Sequence, residues 1–274
     1  MTKYAFLIGI CYDKTNKKLL GVKNDLIEMR DVLIQKWGYL PNNIYTLSDV
    51  TKLPNISAAY LQPTKSRILN MMELMTNILN VGDKAVFYYS GHGTLRGGKP
   101  CIVPLDNKSE GFISNDTIFN YLSKICKGVN IFCIFDCCNS GSICKLKNHI
   151  FDTSYRKNLE VKATSYSAMD WETRQHTKII DENIVTQANI ICLSACWDDQ
   201  VSYDLIKNGA LTMNLLTVLK FYNLETMSFV ELLKILRGSL KFSRITQTPQ
   251  LMTSSSEAVG SEALKIDSIM NFIT

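Results

Sequence analysis

Two short segments carry residues whose types and spacing suit nucleophilic chemistry: Ser90-Gly91-His92-Gly93, and Phe135-Asp136-Cys137-Cys138-Asn139-Ser140-Gly141-Ser142. A thiol needs a base or a cation nearby to become a thiolate, and a leaving amine needs a proton donor. Histidine supplies both. The glycines around His92 let the backbone approach a ligand closely and leave the imidazole unobstructed. Side chains of an extended chain alternate, so Asp136 and Cys138 point to one side and Cys137 to the other. That pattern gives Cys138 the accessible, acid-flanked position and turns Cys137 toward packing. The main-chain N–H groups of Gly93 and Cys138 are candidates for an oxyanion hole, which needs donors aimed at developing charge. Taken alone, the cysteine pair reads as two core residues before a turn and the histidine as structural. Both segments at strand ends point instead to a Cys–His pair.

The elements that must position them alternate. Strands are expected at 4–10, 43–47, 84–89, 129–135, 188–195 and 250–253, with a short extended piece at 101–105. Apolar residues recur at helical spacing over 24–37, and helices are also expected at about 66–80, after an N-cap at Ser114 to about 126, and near 209–222 and 227–240. Gly38 stands where a helix-ending residue of positive φ belongs. Residues 151–188 lose all periodicity. Alternating strands and helices imply an α/β sandwich with a mostly parallel central sheet, and sites in such sheets gather at the carboxyl ends of the strands. Both chemical segments lie at such ends.

Composition narrows the rest. Of 274 residues, 46% are hydrophobic and 20% charged, and the net charge of +5 is spread without a run of five basic residues. No nucleic-acid partner is therefore expected. No apolar stretch is long enough to span a bilayer, so no membrane partner is expected, and a soluble, cytoplasmic monomer is the working expectation. The cysteine count of nine is odd, which suits a reducing compartment. Cys133, Cys137, Cys138, Cys144 and His149 invite a zinc reading, yet they contain no C-x-x-C pair and strand geometry splays them. There is no phosphate-loop motif, and Met71, Met72 and Met75 read as core. No metal or cofactor is expected.

The resemblance to a family becomes specific at these motifs. Tyr88-Tyr89-Ser90-Gly91-His92-Gly93 and Phe135-Asp136-Cys137-Cys138-Asn139-Ser140-Gly141 resemble the metacaspase patterns H/Y-Y-S-G-H-G and D-x-C-H-S-G. Gly21-Val22-Lys23-Asn24-Asp25 is similar to the family's C-x-N-D segment, and Ile191-Cys192-Leu193-Ser194-Ala195-Cys196 to its small-half strand. The resemblance implies a caspase-like three-layer sandwich as one peptidase domain over 1–274, with a large half at 1–150, a linker at 151–188 and a small half at 189–274. It also implies a cysteine endopeptidase acting on protein or peptide substrates after Arg or Lys, with His92 and Cys138 catalytic and Asp25, Ser90 and Asp136 forming the substrate pocket. Physical chemistry agrees, because a partly buried cation needs paired carboxylates. Asp25 alone could equally complement a helix dipole. The Q-A-C-[RQG]-G pentapeptide is absent, which weighs against cleavage after Asp.

Three positions depart from the family pattern: Asn139 replaces a His, Val22 replaces a Cys, and Lys145 stands where an Asp often follows. The stretch Thr94–Pro100 holds two positive charges and no acid, so a compact form without an acidic calcium loop is expected. Arg156, Lys157, Lys162, Arg174 and Lys178 make the linker a candidate for self-cleavage. The rival readings are a non-catalytic caspase-like interaction module and a flavodoxin-like phosphate or nucleotide binder.

Overall fold

Apolar runs rich in β-branched and aromatic residues build the sheet, and amphipathic segments between them cover it. The computed structural model describes residues 1–50, 61–152, 166–170, 175–179, 183–205, 207–255 and 265–266. In chain order the elements are β1 (Lys3–Gly9), α1 (Val22–Gln35), β2 (Ile44–Ser48), α2 (Lys65–Ile78), β3 (Lys84–Ser90), β4 (Gly93–Arg96), β5 (Lys99–Ile102), α3 (Asn107–Glu110), β6 (Ile113–Ser114), α4 (Asn115–Leu122) and β7 (Asn130–Asp136). They continue with β8 (Asn148–Asp152), β9 (Tyr166–Asp170), β10 (Gln175–Ile179), β11 (Asn189–Ser194), α5 (Ala210–Phe221), α6 (Phe229–Phe242) and β12 (Gln250–Thr253).

The main sheet has nine strands in the order β2-β1-β3-β7-β11-β12-β8-β10-β9. The first five are parallel to one another, and every later pair is antiparallel. Following those pairings, β12 and β10 run against the other seven strands, so the sheet is mostly parallel in direction. A second, three-stranded sheet of β4, β5 and β6 branches off immediately after His92.

Strand alternation sorts the core into two layers. Leu7, Val86, Tyr88, Phe132, Ile134 and Leu193 pack with α1, α5 and α6 on one face. Phe6, Ile8, Phe87, Ile131, Cys133 and Phe135 pack with α2 and α4 on the other. The expected three-layer α/β sandwich is therefore present. Met71, Met72 and Met75 lie in that second layer, as expected. Helix starts follow capping chemistry: the Ser114 hydroxyl accepts from the Thr117 N–H, and Ser228 with Glu231 forms a reciprocal capping box on α6. Gly38 takes φ +65°, as a residue without a Cβ readily does.

Two parts differ from the sequence reading. The segment 151–188 contains β9 and β10, a hairpin that extends the sheet beyond β8. Its strands are short and polar, and pairing rather than periodicity makes them. Arg156, Lys157, Lys162 and Arg174 lie outside the described residues. The small β4–β6 sheet replaces the single extended piece expected at 101–105.

Candidate active site

The register between β3 and β7 sets Ser90 beside Asp136. Both motifs therefore leave the sheet at its carboxyl edge on neighbouring strands, two residues later at His92 and Cys138. Leu19, Ser90, His92, Asp136, Cys138 and Ser202 line a cleft there. The alternation argument for the cysteines holds. Cys137 is 2% exposed and packs with Cys133 and Phe135 on the α2/α4 layer, while Cys138 is partly exposed in the cleft.

His92 is held from several sides. Its ring packs against Tyr12 with centroids 4.6 Å apart. Its main-chain N–H donates to the Tyr12 hydroxyl at 3.2 Å, and its carbonyl accepts from Tyr89 at 2.8 Å. The imidazole Nε2 lies 2.7 Å from the Lys17 carbonyl. A carbonyl can only accept, so that contact assigns the proton to Nε2 and leaves Nδ1 as the basic nitrogen. The loop carrying Lys17 is in turn fixed by Asp49, whose carboxylate accepts from the N–H groups of Cys11 and Tyr12 at 2.7 Å each.

Cys138 sits in a loop that curls after β7. Asn139 has φ +53°, a left-handed conformation that asparagine tolerates well, and its side-chain amide donates to the Asp198 carbonyl at 2.6 Å. The residue that replaces the family histidine is thus spent on shaping the loop. Gly93 has no room for a side chain: a Cβ would lie 1.9 Å from the Cys138 carbonyl oxygen. The start of β4 consequently presses directly on the loop of the sulfur. Burial, and then the charge of Asp136, push the Cys138 thiol above its ordinary value, with the Ser202 N–H opposing them.

The acidic floor is built from four regions of the chain. Asp25 is fully buried and Asp136 is 5% exposed. Asp25 accepts from the Ser90 hydroxyl at 2.8 Å, the Asn208 amide at 2.9 Å and the Gly209 N–H at 3.0 Å. It lies in the first turn of α1, where an acid complements the helix dipole, and its hydrogen-bond partners are Ser90, Asn208 and Gly209. Asp136 accepts from the Thr212 N–H and hydroxyl, both at 2.9 Å, and from the Ser202 hydroxyl at 2.8 Å. A Cβ on Gly209 would lie 2.3 Å from Asp136 Oδ2 and 3.1 Å from Asp25 Oδ2, so the two carboxylates converge on that glycine. Burial raises both above the ordinary carboxylate range, and for Asp25 the neighbouring Asp136 charge raises it further. Asp204 adds a third carboxylate to the lining and clamps the N–H groups of Leu20 and Gly21 at 2.6 and 3.0 Å.

All six residues singled out from the sequence thus meet at one edge: His92 and Cys138 in the cleft, Gly93 against the Cys138 loop, and Asp25, Ser90 and Asp136 in the acidic floor. The sequence reading missed Lys17, Tyr12, Ser202, Asp204, Asn208, Gly209 and Thr212. Asn208-Gly209 is a turn signal directly before a helix and could have marked the loop that crosses the floor. Among the described residues no group of three or more His, Cys, Asp or Glu is arranged to hold a metal ion. Likewise, no described helix is long and apolar enough to cross a membrane.

A three-layer sandwich with these two motifs at the carboxyl ends of adjacent parallel strands is a caspase-like fold. A crystal structure of a Geobacter sulfurreducens protein shares this fold, with a TM-score of 0.61 at 21% identity over 93% of this chain and 94% of its own. The family profile described as metacaspase, peptidase C14 domain, matches residues 3–147. The chain belongs to the metacaspases, a family of cysteine-type peptidases. Metacaspase-3 of Trypanosoma brucei brucei is 32% identical, covering 92% of this chain and 71% of that one. Metacaspase-1 of Plasmodium falciparum is 31% identical over 83% of this chain but 36% of its own. A relative named inactive metacaspase-4, from Trypanosoma brucei brucei, is 28% identical over 91% of this chain.

Proposed function

We propose that the protein is an endopeptidase that cleaves after Arg or Lys through a Cys138–His92 dyad. The observation that carries the reading is the pair of buried carboxylates, Asp25 and Asp136, converging on Gly209 beneath a cleft lined by Cys138. Buried carboxylates without a cation are costly, and a guanidinium or ammonium offers the matching charge and donors. Ser90 supports the pocket by donating to Asp25.

In the proposed reaction, His92 Nδ1 takes the Cys138 proton and the sulfur attacks the scissile carbonyl carbon. The N–H groups of Gly93 and Cys138 stabilise the oxyanion that forms. As the C–N bond breaks, His92 returns the proton to the leaving amine. Water then attacks the thioester, with His92 as base; the C–S bond breaks, the Cys138 sulfur takes the proton back from His92, and the carboxylic acid departs. The Lys17 carbonyl keeps the Nε2 proton in place and steadies the imidazolium, the part a third group plays beside a catalytic histidine.

An arginyl chloromethylketone tests this in one step. It should modify Cys138, identified by mass mapping, and abolish hydrolysis of an Arg-terminated fluorogenic peptide. Absence of labelling with correctly folded protein would favour a non-catalytic interaction module, the alternative that the inactive relative brings to mind.

A further inference from the structure

Ser202 touches both halves of the site. Its main-chain N–H donates to the Cys138 sulfur at 3.2 Å, and the Cys138 thiol donates to its carbonyl at 3.7 Å. Its hydroxyl donates to Asp136 Oδ1 at 2.8 Å, with Gln247 Oε1 as a more distant acceptor at 3.5 Å. A hydroxyl has one proton, so the carboxylate takes it. The residue that ties down the sulfur is therefore itself tied to the carboxylate that a basic side chain would meet. Directed at the Ser202 carbonyl, the thiol proton is turned away from His92, and among the described residues no hydrogen bond joins the His92 ring to the sulfur. A cation at Asp136 would compete for the oxygen that Ser202 uses and cancel the charge that disfavours the thiolate.

We infer that Ser202 couples the acidic pocket to the nucleophile, so that a guanidinium or alkylammonium bound at Asp136 frees the Ser202 hydroxyl, shifts its main chain and releases the Cys138 sulfur for attack. Ser202 is then a positioning residue, and the charge of the substrate acts on rate as well as on affinity. This rests on the reading of Cys138 as nucleophile and of Asp25 with Asp136 as a cation pocket.

The probe is methylguanidinium, which carries the charge without a scissile bond, and the reporter is iodoacetamide, which is small and neutral. In the reporting reaction the sulfur forms a C–S bond, iodide leaves and the thiol proton passes to solvent. Cys126 is partly exposed like Cys138, while the other seven cysteines are buried, so Cys126 serves as an internal reference. In the full chain, saturating methylguanidinium should speed alkylation of Cys138 about fivefold or more and leave Cys126 unchanged. Ser202→Ala should cut that gain to below about twofold, whereas Ser202→Thr, which keeps a hydroxyl, should retain it. Competitive inhibition of Arg-peptide hydrolysis by methylguanidinium in all three proteins establishes that the pocket is filled. Equal acceleration in Ser202→Ala and the native protein would mean that charge acts through space without Ser202, and would overturn the coupling. So would no acceleration, or a slowing, with the pocket filled. Failure of methylguanidinium to compete, or labelling of Cys126 without Cys138, would instead strike the underlying reading of the site, and the coupling with it.

Discussion

Cys137 and Cys138 are neighbours in sequence with opposite surroundings, and this is the sharpest distinction at the level of single residues. Cys138→Ala should lower hydrolysis of an Arg-terminated peptide by at least about a thousandfold, because the nucleophile cannot be replaced by its neighbours. Cys137→Ala should keep most of the activity and lose about 1 kcal/mol of stability from the packed α2/α4 layer. Comparing kcat with the urea midpoint separates the two, and the reverse pattern would shift the proposed nucleophile by one position. The buried carboxylates make a second prediction. Because burial and then the neighbouring Asp136 charge raise the Asp25 value, the folded state holds on Asp25 a proton that the unfolded chain releases near pH 4. Its contribution to stability is complete below that pH and is lost as pH rises toward the raised folded value. The melting temperature of the native protein should therefore fall more steeply, as pH rises above about 4, than that of Asp25→Asn. Identical slopes, measured by circular dichroism, would mean that the carboxylates ionise in the fold without penalty.

Among the elements, α4 and the loop after Cys138 bear on calcium. Asp116, in the first turn of α4, is gripped by Lys99 and Lys145, each at 2.5 Å from one of its oxygens. Those contacts hold its carboxyl below the ordinary range, first through Lys145 and then through Lys99. Lys145, at the position where the family often has an acid, thus supplies a built-in positive charge beside the nearest carboxylate. A calcium ion would have to displace two ammonium groups and find its further ligands beside Thr94–Pro100, a stretch without a carboxylate. Peptidase activity should be unchanged in excess chelator. Loss of activity that millimolar calcium restores would defeat this account. The capping box of α6 offers a purely structural control: Ser228→Ala should cost about 1 kcal/mol without altering the preference for Arg.

Over the molecule as a whole, four separated parts of the chain supply the floor: α1 with Asp25, β3 with Ser90, β7 with Asp136, and the residues Ser202, Asn208, Gly209 and Thr212. Substrates with Arg or Lys before the scissile bond should therefore exceed those with Asp by more than about a hundredfold in kcat/KM, since a carboxylate there would be desolvated against two others. Efficient cleavage after Asp would end the pocket proposal. The same preference bears on self-cleavage between 151 and 188. Lys178 lies in β10, paired to His149 of β8 and Tyr166 of β9, so its backbone is engaged on both sides. A peptidase binds its substrate in extended form and needs that backbone free, so mass mapping should find no cut after Lys178. Any cut should fall after Arg156, Lys157, Lys162 or Arg174, and be missing in Cys138→Ala. A fragment ending at Lys178 would show that the hairpin does not protect it.

Local chemistry, which reads directly from the chain, determined a great deal here. Apolar runs marked β1, β3, β7 and β11; Ser114, a hydroxyl residue before a periodic stretch, marked the start of α4; strand alternation assigned Cys137 and Cys138 to opposite sides. The motif resemblance added Asp25, Ser90 and Asp136. Tertiary structure alone decided who their partners are. Asp49 reaches Cys11 and Tyr12, Lys17 meets His92 across 75 positions, and Asn208 and Gly209 return to Asp25 across 183 and 184. None of these pairings has a local signature, because each joins a main-chain group or a common polar side chain that would be equally at home in solvent. The β9–β10 hairpin was hidden for the same reason: short polar strands acquire their conformation from the ladder they join rather than from a periodic apolar face.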